Sequence, residues 1–220
     1  MARSMPDLHH LLLFVAAGWL LNLTPGPDVL YIVTNALRSG ARAGVVAGLG
    51  ITTGCFVHVF AAAVGVGALL ATSATAFTVL KWIGAAYLLF MGVKLLVARA
   101  PKEVADLASL ARSQPPASLG RIFRGGFWTN VLNPKVAIFF LAFVPQFIAP
   151  DAPDKAMAFV LLGVLFNVNS IPVNSGWALA AAWMARHGAV RRGMHWLDRA
   201  AGFMFIAFGA RLALSDNPSR

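Results

Sequence analysis

The chain has 220 residues, 59% of them hydrophobic and only 12% charged, and a mean hydropathy of +0.72. Soluble domains carry about 25% charged residues, so this composition excludes an ordinary water-soluble domain and predicts an all-α integral membrane protein. The formal charge of +10 comes without aromatic–basic interleaving or a binding motif, which points to basic loops rather than to nucleic acid.

The apolar runs predict six membrane spans at about 10–37, 44–71, 76–98, 124–149, 155–184 and 197–214. The first run has no small-residue cleavage site, and its hydrophobicity resumes directly after Asp28, so it reads as a retained span rather than a signal peptide. A span needs about 20 helical residues; the first, fourth and fifth runs exceed that, so they tilt, break or protrude. Cys55 is the single cysteine, which excludes a disulfide framework and a CxxC redox pair.

Charge alternates between successive loops. Arg38 and Arg42, then Arg99, Lys102, Arg112, Arg121 and Arg124, then Arg186, Arg191, Arg192 and Arg199 fall on one side. The other side has Arg3, Lys155 and Arg220, with Asp151 and Asp154. The positive-inside rule makes the first side cytoplasmic and places both termini in the periplasm or outside the cell. The chain thus reads as one transmembrane domain, 1–220, with a three-helix repeat at 8–98, a cytoplasmic linker at 99–121 and a second three-helix repeat at 122–214. "GAAYLLFMGVKLLV" (84–97) aligns with "AGFMFIAFGARLAL" (201–214), matching Gly92 to Gly209 and Lys94 to Arg211. "GWLLNLTPGP" (18–27) has a fainter echo in "GFWTNVLNPK" (126–135). With three spans per half, the second copy must be inverted, a common plan of secondary transporters.

Both echoing strings carry helix breakers. Pro25-Gly26-Pro27 falls near the middle of the first span, and a proline inside a helix costs about 3 kcal/mol and a hydrogen bond. The triplet predicts a break, with a new helix starting near Pro27. Asn133-Pro134 predicts a second break at a similar depth in the fourth span. Interrupted helices at corresponding places of two halves point to a transporter's binding site. A restarted helix offers free N–H groups and a positive dipole end, which suit a carboxylate, and an amino acid fits. Asp28 opens the first restarted helix, where an acid is favourable. Lys135 opens the second, where a cation opposes the dipole, so it needs a partner; the repeat places Asp28 opposite it.

"TPGPDVLYIV…LRSGARAGVVAGLGITTG", "KWIGAAYLLFMGVKLL" and "GGFWTNVLNPKVAIFFLAFVPQF", in this order and spacing, resemble the signatures of the LysE/RhtB family of amino-acid exporters over about residues 10–214. The resemblance implies proton-driven export of amino acids or close derivatives across the bacterial inner membrane. It implies a substrate site lined by Thr24, Pro25, Gly26, Pro27, Asp28, Asn133, Pro134 and Lys135, with no catalytic residue, metal or cofactor. The TPGPD form is similar to the branch exporting threonine, homoserine, homoserine lactone or branched-chain amino acids, which favours a neutral substrate. The polar fifth span, "FNVNSIPVNSGW", departs from the family pattern and bears on specificity.

Further candidates for substrate contact are Asn22 and Asn130, at equivalent places in the echoing strings, and Asn167, Ser170 and Asn174. The last three are spaced three and four apart and share one helical stripe; helix–helix glue is the competing reading. His58 and Asp28 are the candidates for proton coupling. The six tryptophans read as interfacial, and Gly44, Gly48, Gly50 and Gly54 as surfaces for close helix packing. The expected partners are the substrate, protons and the lipid bilayer; a homo-oligomer stays open. Two competing functions are an exporter of metal or other cations and an intramembrane enzyme. One spanning histidine, one cysteine and one intramembrane acid make a poor metal site, and no HExxH, GxSxG or paired aspartates support an enzyme.

Overall fold

The computed structural model describes residues 8–72, 74–97, 117–148 and 152–187, with the helical positions 203, 206, 207 and 210. The described elements are all helical. They are α1 (Leu8–Leu23), α2 (Pro27–Ser39), α3 (Ala41–Thr72), α4 (Ala74–Val97), α5 (Leu119–Val131), α6 (Pro134–Ile138) and α7 (Lys155–His187). A π-helical turn, Phe139–Phe143, and a 3-10 turn, Val144–Phe147, continue α6. Most of the expected linker 99–121 and of the sixth span at 197–214 lies outside the described residues.

Over Ala41–Gly65 and Lys155–Ala185, α3 and α7 are each long and apolar enough to cross a membrane. The chain from α5 through Phe147 makes a third such span if taken as one element, bent by 48°. The expected break in the first apolar run is also present: α1 stops at Leu23, and Pro27 sits in the first turn of α2.

Two apolar cores lie at opposite ends of this bundle. One gathers Val29, Ile32 and Ala36 of α2, Ala43, Ala47 and Ile51 of α3, Ile122 of α5, and Trp177, Ala178 and Ala181 of α7. The other is rich in phenylalanine: Phe14, Phe139, Phe140, Phe143, Phe147, Phe159 and Phe166 cluster with Leu21, Val59 and Leu162. Between them each element turns polar: Thr24 and Asp28 after α1, Thr52 in α3, Asn130 to Lys135 around the second break, and Asn167 to Asn174 in α7. The chain order through these layers shows that the two broken elements run in opposite directions. The first passes from the phenylalanine end to the other end, and the second passes back. Arg38 and Arg121 line one cavity at the end opposite the phenylalanines.

Without a strong hydrophobic force between helices in lipid, association rests on close packing. Two glycine faces of α3 supply it. Gly44 and Gly48 meet Ala178 and Asn174 of α7, whereas Gly50 and Gly54 lie on the backbone of α5, where an added Cβ would stand 2.1 Å from Phe123 O and 2.4 Å from Phe127 O. Backbone cannot step aside as a side chain can. Gly50→Ala should therefore destabilise the protein by about 1–3 kcal/mol in thermal unfolding in detergent. Gly65→Ala, which meets nothing within 4 Å, should be neutral or stabilising by about 0.5–1 kcal/mol from helix propensity. Equal melting temperatures for the two variants would contradict the close α3–α5 contact.

Candidate functional site

Each break leaves backbone groups without helical partners, and the two breaks meet. At the first, Thr24 N still bonds to Leu20 O at 2.9 Å, and the Thr24 hydroxyl turns back to the same carbonyl. The carbonyls of Leu21 and Thr24 are then left at the negative end of α1. They accept from the Lys135 ammonium, at 2.9 and 3.1 Å. Lys135 starts α6, where its charge opposes that helix's dipole, yet its side chain reaches the C-terminal end of α1, where a cation is favoured. Gly26 makes room for this: a Cβ there would stand 3.2 Å from the ammonium.

The first break returns the favour through Asp28. Its carboxylate lies in the first turn of α2, the favourable end, and Oδ2 accepts from Asn130 Nδ2 at 2.8 Å. The partner expected for Lys135 was Asp28. The ammonium is held by the carbonyls instead, and the carboxylate by Asn130. Lys135 and Asp28 are near enough for their charges to attract.

The two restarted helices differ at their first turns. Asn133 Oδ1 accepts from Lys135 N at 3.0 Å and caps α6. Gly26 precedes α2 with no side-chain cap. Pro27 has no N–H, and Leu30 N bonds to Gly26 O at 2.9 Å; the Asp28 and Val29 N–H groups are left as the uncapped donors at this end.

A second set of polar groups closes the layer. His58 Nε2 sits 2.9 Å from Asn130 O; a carbonyl can only accept, so Nε2 carries the proton. The chain His58–Asn130–Asp28 thus links three elements. On α7, Ser170 donates to Asn167 O at 2.8 Å, which leaves Thr52 of α3 as donor in the 3.2 Å contact between their hydroxyls. Trp177 Nε1 donates to Asn22 O at 3.2 Å, so α7 also touches the end of α1. The Asn22 side chain itself bonds back to Gly18 O.

Several buried polar atoms in this layer have no protein partner: Asp28 Oδ1, Asn130 Oδ1, Asn133 Nδ2, both side-chain polar atoms of Asn167, and Asn174 Nδ2. Orphaned buried groups cost about 1–3 kcal/mol each, and they gather around the two breaks and the facing stripe of α7. The set offers acceptors for an ammonium and donors for a carboxylate.

Thr24, Asp28, Asn130, Asn133, Lys135, Asn167, Ser170 and Asn174 are all buried in the polar layer. Pro27 and Pro134 are exposed and shape the breaks. The role of Trp177 was missed because, in sequence, it is one of six scattered tryptophans. Its position three residues beyond Asn174, next to the polar stripe, was the available signal. Cys55 packs in the phenylalanine-rich core beside the layer.

Residues 19–216 match the family described as LysE type translocator. The chain is 36% identical over 200 residues to a homoserine/homoserine lactone efflux protein of Salmonella typhimurium, covering 91% of this chain and 94% of that protein. It is 28% identical over 192 residues to a leucine efflux protein of Salmonella choleraesuis, covering 87% and 88% of the two chains. An uncharacterized membrane protein of Vibrio cholerae is 31% identical over 207 residues, covering 94% and 98%. No solved structure gives a significant match. With a family match over nearly its whole length and a membrane-crossing helical fold, the chain belongs to the LysE type translocators.

Proposed function

We propose that the protein is a secondary-active exporter of neutral amino acids or close derivatives such as homoserine lactone across the bacterial inner membrane, driven by the proton gradient. The observation that carries this reading is the meeting of two oppositely directed broken helices around buried polar atoms that lack partners. The efflux relatives support the substrate class.

In this reading the substrate carboxylate docks on the uncapped N–H groups of Asp28 and Val29. Its ammonium takes Asp28 Oδ1 and Asn130 Oδ1, and the side chain faces Asn167 and Asn174. Coupling follows from competition at one carboxylate: Asp28 holds either the substrate's ammonium or a proton. A proton arriving from outside releases the substrate outward, and a new substrate from the cytoplasm displaces that proton inward. His58, whose Nε2 donates to the Asn130 backbone carbonyl beside this site, is the second group of the proton coupling. Lys135 holds α1 against α6; substrate drawing on the ammonium weakens that grip and lets the halves 8–98 and 122–214 rock about it, with both termini periplasmic and 99–121 a cytoplasmic linker.

Reconstituted proteoliposomes test the reading. Export of leucine or homoserine should collapse on adding an uncoupler; export that persists unchanged would rule out proton coupling, and resistance of cells to metal salts alone would favour cation export. Asp28→Asn should reduce net export to background while the protein still folds; wild-type rates would remove the carboxylate from the mechanism. Lys135→Met leaves the Leu21 and Thr24 carbonyls without their donor and should cost about 1–3 kcal/mol per orphaned carbonyl in thermal unfolding; an unchanged melting temperature would contradict the grip on α1.

A further inference from the structure

A groove of about 460 Å³ runs along the side of α2, lined by Pro27, Leu30, Tyr31, Thr34, Asn35 and Arg38, and closed by Ala117, Arg121 and Ile122. The α2 positions follow the 3, 4 spacing of a single helical face. They lead from Arg38, in the last turn, to Pro27 at the break. Across the groove, Tyr31 donates to Ile122 O at 2.9 Å and joins α2 to α5. Gly125 makes room for this ring, since a Cβ there would stand 2.0 Å from the Tyr31 oxygen. The groove thus has two arginines at one end, hydroxyl and amide groups along its length, and Leu30, Ala117 and Ile122 as apolar wall.

We propose that this groove is a loading station, distinct from the central site, that captures the carboxylate of the substrate on Arg38 and Arg121 before the substrate moves to the break. The inference rests on the exporter reading above and adds a second position for the same cargo. Two arguments separate the stations. Arg38 lies eleven residues beyond Pro27, or about 16 Å along the helix, more than a small amino acid spans. The charges also set an order: with its carboxylate held at the arginines, a zwitterion leads with its ammonium along the groove toward Pro27 and the break. At the opposite end of the bundle the phenylalanine core closes the path, with Phe14–Phe147 and Phe143–Phe147 ring centroids 5.3 and 5.0 Å apart. Among the described residues a second apolar core, with Val29, Ile32, Ala36, Ile51 and Trp177, lies at the arginine end, so the groove lies outside the polar layer, as a station that precedes the central site would.

The test measures uptake of radiolabelled leucine and of homoserine lactone, which has no carboxylate, into inside-out vesicles containing the full chain. In the double variant Arg38→Gln/Arg121→Gln the KM for leucine should rise about tenfold with kcat unchanged, while the KM for the lactone stays as in the wild type. Raising the salt concentration should raise the wild-type KM for leucine and leave that of the variant unchanged. Arg38→Lys/Arg121→Lys should restore most of the lost affinity. Arg121→Gln alone changes an exposed residue in the first turn of α5, should fold normally, and should raise the leucine KM about threefold. Unchanged leucine KM in both Gln variants would overturn the loading station and leave the exporter reading standing. An equal rise for leucine and lactone would overturn it too, since the arginines would then act on the fold. A wild-type protein that takes up neither compound would overturn the exporter reading and, with it, this station.

Discussion

A helix that stops inside a bilayer leaves carbonyls with no water to bond them, and the cost of such groups constrains the rest of this molecule. The chain meets that constraint by exchange between two breaks. The ammonium that starts α6 satisfies the end of α1, and the carboxylate that starts α2 is held by Asn130 near the end of α5. Each charge therefore lies at a dipole end that favours it, although Lys135 belongs to a helix that would repel it.

The surrounding architecture serves that junction. Glycine faces of α3 let α5 and α7 approach on two sides and fix the depth at which the polar layer forms. Apolar cores flank the layer on both sides, and such low-dielectric surroundings strengthen its hydrogen bonds and raise the cost of leaving its remaining polar atoms unpaired. One end of the bundle is sealed by stacked phenylalanines borne partly on a π-helical turn, an element often found at functional sites. The other end has the arginine-lined groove. Among the described residues, the polar layer thus lies between two apolar cores, with the groove on the far side of one of them.

Much of this was legible in the sequence because helix breakers are local. Pro25-Gly26-Pro27 and Asn133-Pro134 both end a helix here, unlike the lone Pro172 inside α7, so both breaks could be placed to within a few residues. The stripe Asn167, Ser170, Asn174 followed from helical periodicity alone. What the sequence could not disclose was which partner each charge takes. Lys135 and Asp28 look like a pair when only side chains are counted, yet the winning acceptors are backbone carbonyls, and every residue carries one of those. The π-helical turn was equally hidden, since "FFLAF" is an unremarkable apolar run. Tyr31 was hidden for another reason: its bond crosses 91 positions in sequence to reach Ile122.

The most direct measurement of the central claim is magnetisation transfer by solid-state NMR in lipid bilayers, from leucine labelled with carbon-13 at its carboxyl group to nitrogen-15-labelled protein. A site formed by the two breaks predicts dipolar contact between that carbon and the Asp28 and Val29 amides, lost in Asp28→Asn only if the whole site collapses. Bound leucine whose carboxyl carbon contacts neither amide would contradict the account.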